Sequence, residues 1–110
     1  MTQRTPRRLS ARNEGGQLDV LQYEVLQEKA AVLARLGRRL QSALDALAAF
    51  DASGGTGAGE RDALVGAAGE ALWYYVVQRE VLGLRDAETV MREMQVPREV
   101  RLRMGLNRSR

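Results

Sequence analysis

The chain has 110 residues, enough for one modest domain, and contains neither cysteine nor histidine. That removes disulfides, thiolate nucleophiles, the commonest general base and the commonest metal ligand, so any catalysis would rest on carboxylates, Arg, Tyr or hydroxyls. The net charge of +3 is unevenly placed: residues 1–12 carry Arg4, Arg7, Arg8 and Arg12 without an acid, residues 98–110 carry five Arg against Glu99, and the stretch between is net acidic.

Residues 1–16 end on Gly15-Gly16 and read as a disordered basic tail. Beyond them, Leu26, Leu33, Leu40 and Leu47 recur every seven residues, with Leu36, Ala43 and Phe50 offset by three, in a Pro-free stretch from Gln17 to Phe50. This is the a/d repeat of a helix that packs lengthwise on another helix. The spacing predicts a first helix from about Leu18 to Phe50. Its apolar stripe is wide, since Leu18, Val25 and Val32 flank the Leu row on one side and Ala30 and Leu44 on the other, which favours a multi-helix bundle. Gly37 interrupts it at a cost of about 1 kcal/mol relative to Ala, a cost consistent with close approach of a neighbouring helix.

Residues 51–59, rich in Gly, form a turn. A phosphate-loop reading fails here, because no strand precedes the glycines and no Lys-Ser or Lys-Thr follows them. A second helix is expected from Glu60 to Leu82, with Gly83 as its stop. Leu72-Trp73-Tyr74-Tyr75-Val76-Val77 point in every direction around it, so this half needs cover on more than one side. Their β-branched and aromatic content also suits a strand, but a lone strand would leave its backbone groups unpaired. Asp86 is placed to cap a short helix from Ala87 to about Gln95, and Pro97 to open a last one through Met104. Residues 106–110 read as a frayed basic end.

The fold class expected is all-α: a long antiparallel helical hairpin with two short C-terminal helices over residues 17–105, forming a four-helix-type bundle as a homodimer. Its assembly residues would be Leu26, Leu33, Leu40, Leu47, Trp73, Tyr74 and Tyr75. Arg79 lies on the stripe of Leu72, Tyr75 and Leu82 and needs a partner. A hairpin offers Glu24 or Glu28 as a buried ion pair, and the alternative is an anion site built with Tyr74 or Tyr75. Phosphate contacts are conceivable at Arg4, Arg7, Arg8, Arg12, Arg101, Arg103, Arg108 and Arg110, although no aromatics interleave with them and charge runs at termini are usually solvated. Residues 86–105 imitate a helix-turn-helix. The imitation fails where Arg101 stands in a position that should be apolar and Gln95 where Gly is usual.

Ala71-Leu72-Trp73, Val76-Val77-Gln78-Arg79-Glu80, Gly83-Leu84-Arg85-Asp86, Val96-Pro97 and Met104-Gly105 resemble a family of short bacterial proteins known only as a domain of unknown function. The resemblance spans about residues 20–105. It implies a cytoplasmic, helical bacterial protein and brings no activity onto these positions. It singles out Gln78-Arg79-Glu80 and Leu84-Arg85-Asp86 as the residues to test first. The function expected is a non-catalytic homo-oligomeric interaction module, an adaptor or small regulator with an unidentified protein partner. The alternative is a nucleic-acid-associated protein working through its Arg-rich ends. No cofactor, metal or membrane association is expected.

Overall fold

The computed structural model describes the backbone of residues 5–105 and the side chains of residues 16–105. Four helices follow one another: α1 (Thr5–Ala52), α2 (Ala58–Val81), α3 (Ala87–Glu93) and α4 (Arg98–Leu102). No strand occurs among the described residues, and Leu72–Val77 lie inside α2. Helix α1 starts well before the expected Leu18 and takes in most of the segment read as a tail. The physical reason is composition: Arg, Ala, Leu and Gln propagate a helix, Pro6 is tolerated in a first turn, and two glycines penalise a helix without breaking it. Residues 106–110 and the N-terminal tetrad lie outside the described residues.

The chain divides into two compact units, Met1–Ala31 and Val32–Arg110. In the second unit the C-terminal part of α1 runs antiparallel to α2. Gly37 meets Tyr75, Arg39 pairs with Glu70 at 3.5 Å, and Asp51 pairs with Arg61 at 2.8 Å, so positions rise on one helix as they fall on the other. The core consists of Leu40, Leu44 and Leu47 from α1, Val65, Ala68, Ala71 and Leu72 from α2, and Met91, Val96 and Val100 from the C-terminal elements. Met94 and Met104 pack against it.

Small residues set how closely these elements approach. A Cβ on Gly37 would meet the Tyr75 ring at 3.1 Å, which explains the mid-helix glycine. A Cβ on Gly69 would meet the Arg103 backbone at 3.0 Å, so α4 lies directly on α2 through a site that only glycine leaves open.

Helices α1, α2 and α3 stop in the same way. The amides of Gly55, Leu84 and Val96 bond back to Phe50, Arg79 and Met91, and those of Gly54, Gly83 and Gln95 bond back to Asp51, Glu80 and Arg92. This paired closure needs a left-handed residue after the C-cap, and Gly54 (φ 74°) and Gly83 (φ 78°) provide it. In the first stop the Phe50 ring lies so close to Gly55 that a Cβ there would be 2.6 Å away. The Gly-rich turn is therefore a helix stop, and residues 53–57 suffice for the connection. The third stop uses Gln95 at φ 55°, where a side chain is unfavourable. Gln95→Gly is accordingly expected to raise stability by about 0.5–1 kcal/mol, read as a higher urea midpoint at unchanged m-value.

Candidate functional site

The Leu row of α1 changes character along its length. Leu47 and Leu40 are buried, Leu33 is half-buried, and Leu26 is 56% exposed. In the first unit Leu18 (59%), Leu21 (58%) and Val25 (47%) are exposed beside Leu26. At 3.6 residues per turn these four share one side of the helix, whereas the equally exposed Val20 and Tyr23 fall on the other. Such a run is unusual, because polar residues normally occupy the uncovered surface of a helix.

The aromatic cluster is held within the second unit. Tyr75 packs against Gly37, Trp73 meets Tyr74 edge-on at 5.2 Å between ring centroids, and the Arg39 guanidinium lies 5.3 Å from the centre of the Tyr74 ring. Trp73 also covers Gly105, where a Cβ would come within 2.9 Å. All three aromatics are half-buried, so α4, Gly105 and α1 together cover the continuous apolar stretch of α2 on several sides.

Arg79 meets a backbone partner. Its Nη2 donates to the Arg85 carbonyl oxygen at 2.8 Å, and its Nε is buried without a hydrogen-bond partner. The guanidinium lines a cleft of about 330 Å³ at the junction of α2 and α3, formed with Val76, Gly83, Leu84, Arg85 and Asp86. Tyr74 and Tyr75, weighed above as anion ligands, do not line it. Glu24 and Glu28 are exposed residues of the first unit. Asp86 caps α3: its carboxylate accepts from the Thr89 hydroxyl at 2.7 Å and the Thr89 amide at 3.2 Å. Those bonds, the hydroxyl's foremost, hold its carboxyl below the ordinary value.

An ion-pair cluster that sequence reading missed ties three elements together. Arg61 donates through Nε and Nη2 to both oxygens of Asp51, and through Nη1 and Nη2 to both oxygens of Glu99, at 2.7–3.0 Å. It thus joins the end of α1, the start of α2 and the first turn of α4. A signal existed: a cation in the first turn of a helix opposes the helix dipole and needs carboxylates close by. The hydrogen bonds from Arg61 hold the Asp51 and Glu99 carboxyls below their ordinary values, and the two acids raise the guanidinium's own. A carboxyl depressed in the folded state stabilises fully above its unfolded value and loses that contribution as pH falls through the folded one. The melting temperature is therefore expected to fall on acidification below about pH 5. Arg61→Met should lower it at neutral pH and flatten the acid dependence, Asp86 supplying what remains. Parallel acid profiles for wild type and variant would contradict the cluster's role.

Two of the arginines considered for phosphate contacts are similarly engaged. Arg101 pairs with Glu88 at 2.6 Å and Arg103 with Asp62 at 2.8 Å. Val100, fully buried, fixes α4 on the core. The side chains of Arg4, Arg7, Arg8, Arg12, Arg108 and Arg110 lie outside the described residues. Among the described residues no group of three or more acidic side chains is placed to hold a metal ion, and no helix is long and apolar enough to cross a membrane.

No curated protein and no solved structure matches the chain. A family model does, over residues 9–109, which covers α2, α3 and α4 and all of α1 but its first four residues. With nearly the whole chain matched, this protein belongs to the family of unknown function DUF6665.

Proposed function

We propose that the protein is a non-catalytic, homo-oligomeric helical interaction module, a small cytoplasmic adaptor or regulator that pairs with a second copy through the Leu18, Leu21, Val25 and Leu26 face of α1. The observation that carries this reading is the exposure of those four side chains, each close to half or more, on one side of a helix. Burial of such side chains is worth about 1.5–3 kcal/mol each at full cover, which a facing helix of the same sequence supplies on both sides at once.

Self-complementarity favours a second copy as the occupant: an antiparallel copy centred on this face sets Leu18 level with Leu26, so that the same four side chains are covered on both chains at once. The absence of His and Cys from the sequence supports a role without chemistry, and the freedom from disulfides suits a reducing compartment.

The test is a double substitution, Leu21→Glu with Val25→Glu, followed by light scattering on the eluting peak. The expected result is a dimer for wild type and a monomer for the variant, with helical content of the Val32–Arg110 unit retained. A variant that elutes as wild type does would remove this face from the interface.

A further inference from the structure

We propose that the outward side of α2 docks an amphipathic helix of a second protein, one that carries two cationic side chains spaced to meet Glu60 and Glu70. The inference rests on the adaptor reading, which calls for a surface besides the one that pairs the copies. Every residue it uses lies in the second unit, whereas the Leu18–Leu26 face lies in the first.

Ala63, Ala67, Glu70, Tyr74, Val77 and Val81 are separated alternately by four and three residues, so they form one line along α2. Glu60 starts the same line one step earlier. None of its apolar members belongs to the hydrophobic core or to the residues packed against it. Ala63, Ala67 and Val81 are exposed, and Tyr74 and Val77 are half-buried. The other sides of α2 are taken: Tyr75 meets Gly37 of α1, and Gly69 lies against the Arg103 backbone. An a/d line of this length is the mark of a helix–helix seam, and here it faces outward.

Shape and charge select the occupant. The half around Ala63 and Ala67 is shallow and admits the larger apolar side chains of a facing helix at close approach, while Tyr74, Val77 and Val81 fill the other half and match smaller ones. Glu60 and Glu70 sit within the line, roughly 15 Å apart along the axis. Glu70 accepts one hydrogen bond, from Arg39 at 3.5 Å, where a carboxylate has room for about four. Among the described residues no ion pair reaches Glu60. Two acids against Arg39 leave the line net negative. A second copy of α2 does not answer that charge: parallel or antiparallel, full overlap of the line sets Glu70 beside Glu70, and like charges so placed oppose association. Lys or Arg on a different helix meets both acids and lays its apolar face over the alanines.

The experiment is a fluorescence anisotropy titration of a labelled synthetic helix with the full chain. The helix carries Leu along one seam and two Lys beside it, spaced like Glu60 and Glu70, and the same peptide with Glu in place of both Lys is the control. The expected result is saturable binding of the Lys peptide, with the Glu peptide weaker by about tenfold or more. Ala67→Arg, at an exposed helical position, should fold normally and weaken the Lys peptide by about tenfold, since it fills the shallow half and repels the cations. Glu70→Gln should weaken it severalfold. Leu21→Glu with Val25→Glu should leave it unchanged, because that pair tests assembly alone. No saturable binding by wild type, equal binding by Ala67→Arg, or no preference for the Lys peptide would each overturn the proposal. Loss of binding in the Leu21→Glu, Val25→Glu variant would do the same by placing the peptide on α1. A changed sedimentation of Ala67→Arg without peptide would overturn it too, by placing a second copy on α2.

Discussion

Leu40→Ala and Leu72→Ala are each expected to lower the stability of the protein by about 2–5 kcal/mol, measured by urea denaturation at unchanged m-value. Both side chains are 0% exposed, one on each of the two antiparallel segments of the hairpin. The loss has two parts: the transfer free energy of the deleted carbons, and the void left where neighbours cannot collapse. Leu44, Ala68 and Ala71 sit on rigid helices around these positions, and Val100 is clamped by the close approach of α4 to Gly69, so relaxation is limited. Leu33, only half-buried, should cost less than either. A loss below about 0.5 kcal/mol at both Leu40 and Leu72 would refute the core, since that is the range of ordinary surface substitutions.

Gly69→Val is expected to cost about 1–3 kcal/mol through overpacking and to loosen α4 first. An added Cβ meets the carbonyl carbon, oxygen and Cβ of Arg103 at 3.0 Å, and these are mostly backbone atoms without a flexible end to swing aside. The pair Arg103–Asp62 and the burial of Val100 both depend on that approach. Gly59 is the natural control, because it is also helical and a Cβ there meets nothing within 4 Å. Gly59→Ala should therefore stabilise by up to about 1 kcal/mol through propensity alone. Hydrogen exchange at residues 98–105 separates the two: faster exchange in Gly69→Val and wild-type rates in Gly59→Ala. Equal exchange in both variants would show that α4 does not rely on the glycine.

Local rules carried the sequence reading far. Asp86 caps α3, Gly83 stops α2 and Gly37 admits Tyr75, because each of these outcomes is decided within a turn or by the size of a single side chain. Of the heptad row, expected at an assembly seam, Leu40 and Leu47 lie in the core. Its period alone did not reveal that the same row passes from core to surface, since Leu26 and Leu40 differ only in what covers them. Coverage is a property of chain length: α2 has 24 residues to set against the 48 of α1. The Arg61 cluster was hidden for a related reason. Asp51 and Glu99 are far apart in sequence and come together only through the hairpin and the docking of α4. Arg79 was marked by its position on an apolar stripe, but the Arg85 carbonyl, a backbone partner six residues on, has no signature in residue types.

Sedimentation equilibrium of the full chain over a wide concentration range tests the central claim most directly. Pairing through α1 predicts a reversible monomer–dimer equilibrium that Leu21→Glu with Val25→Glu shifts to monomer. A single monomeric species at every concentration would contradict it.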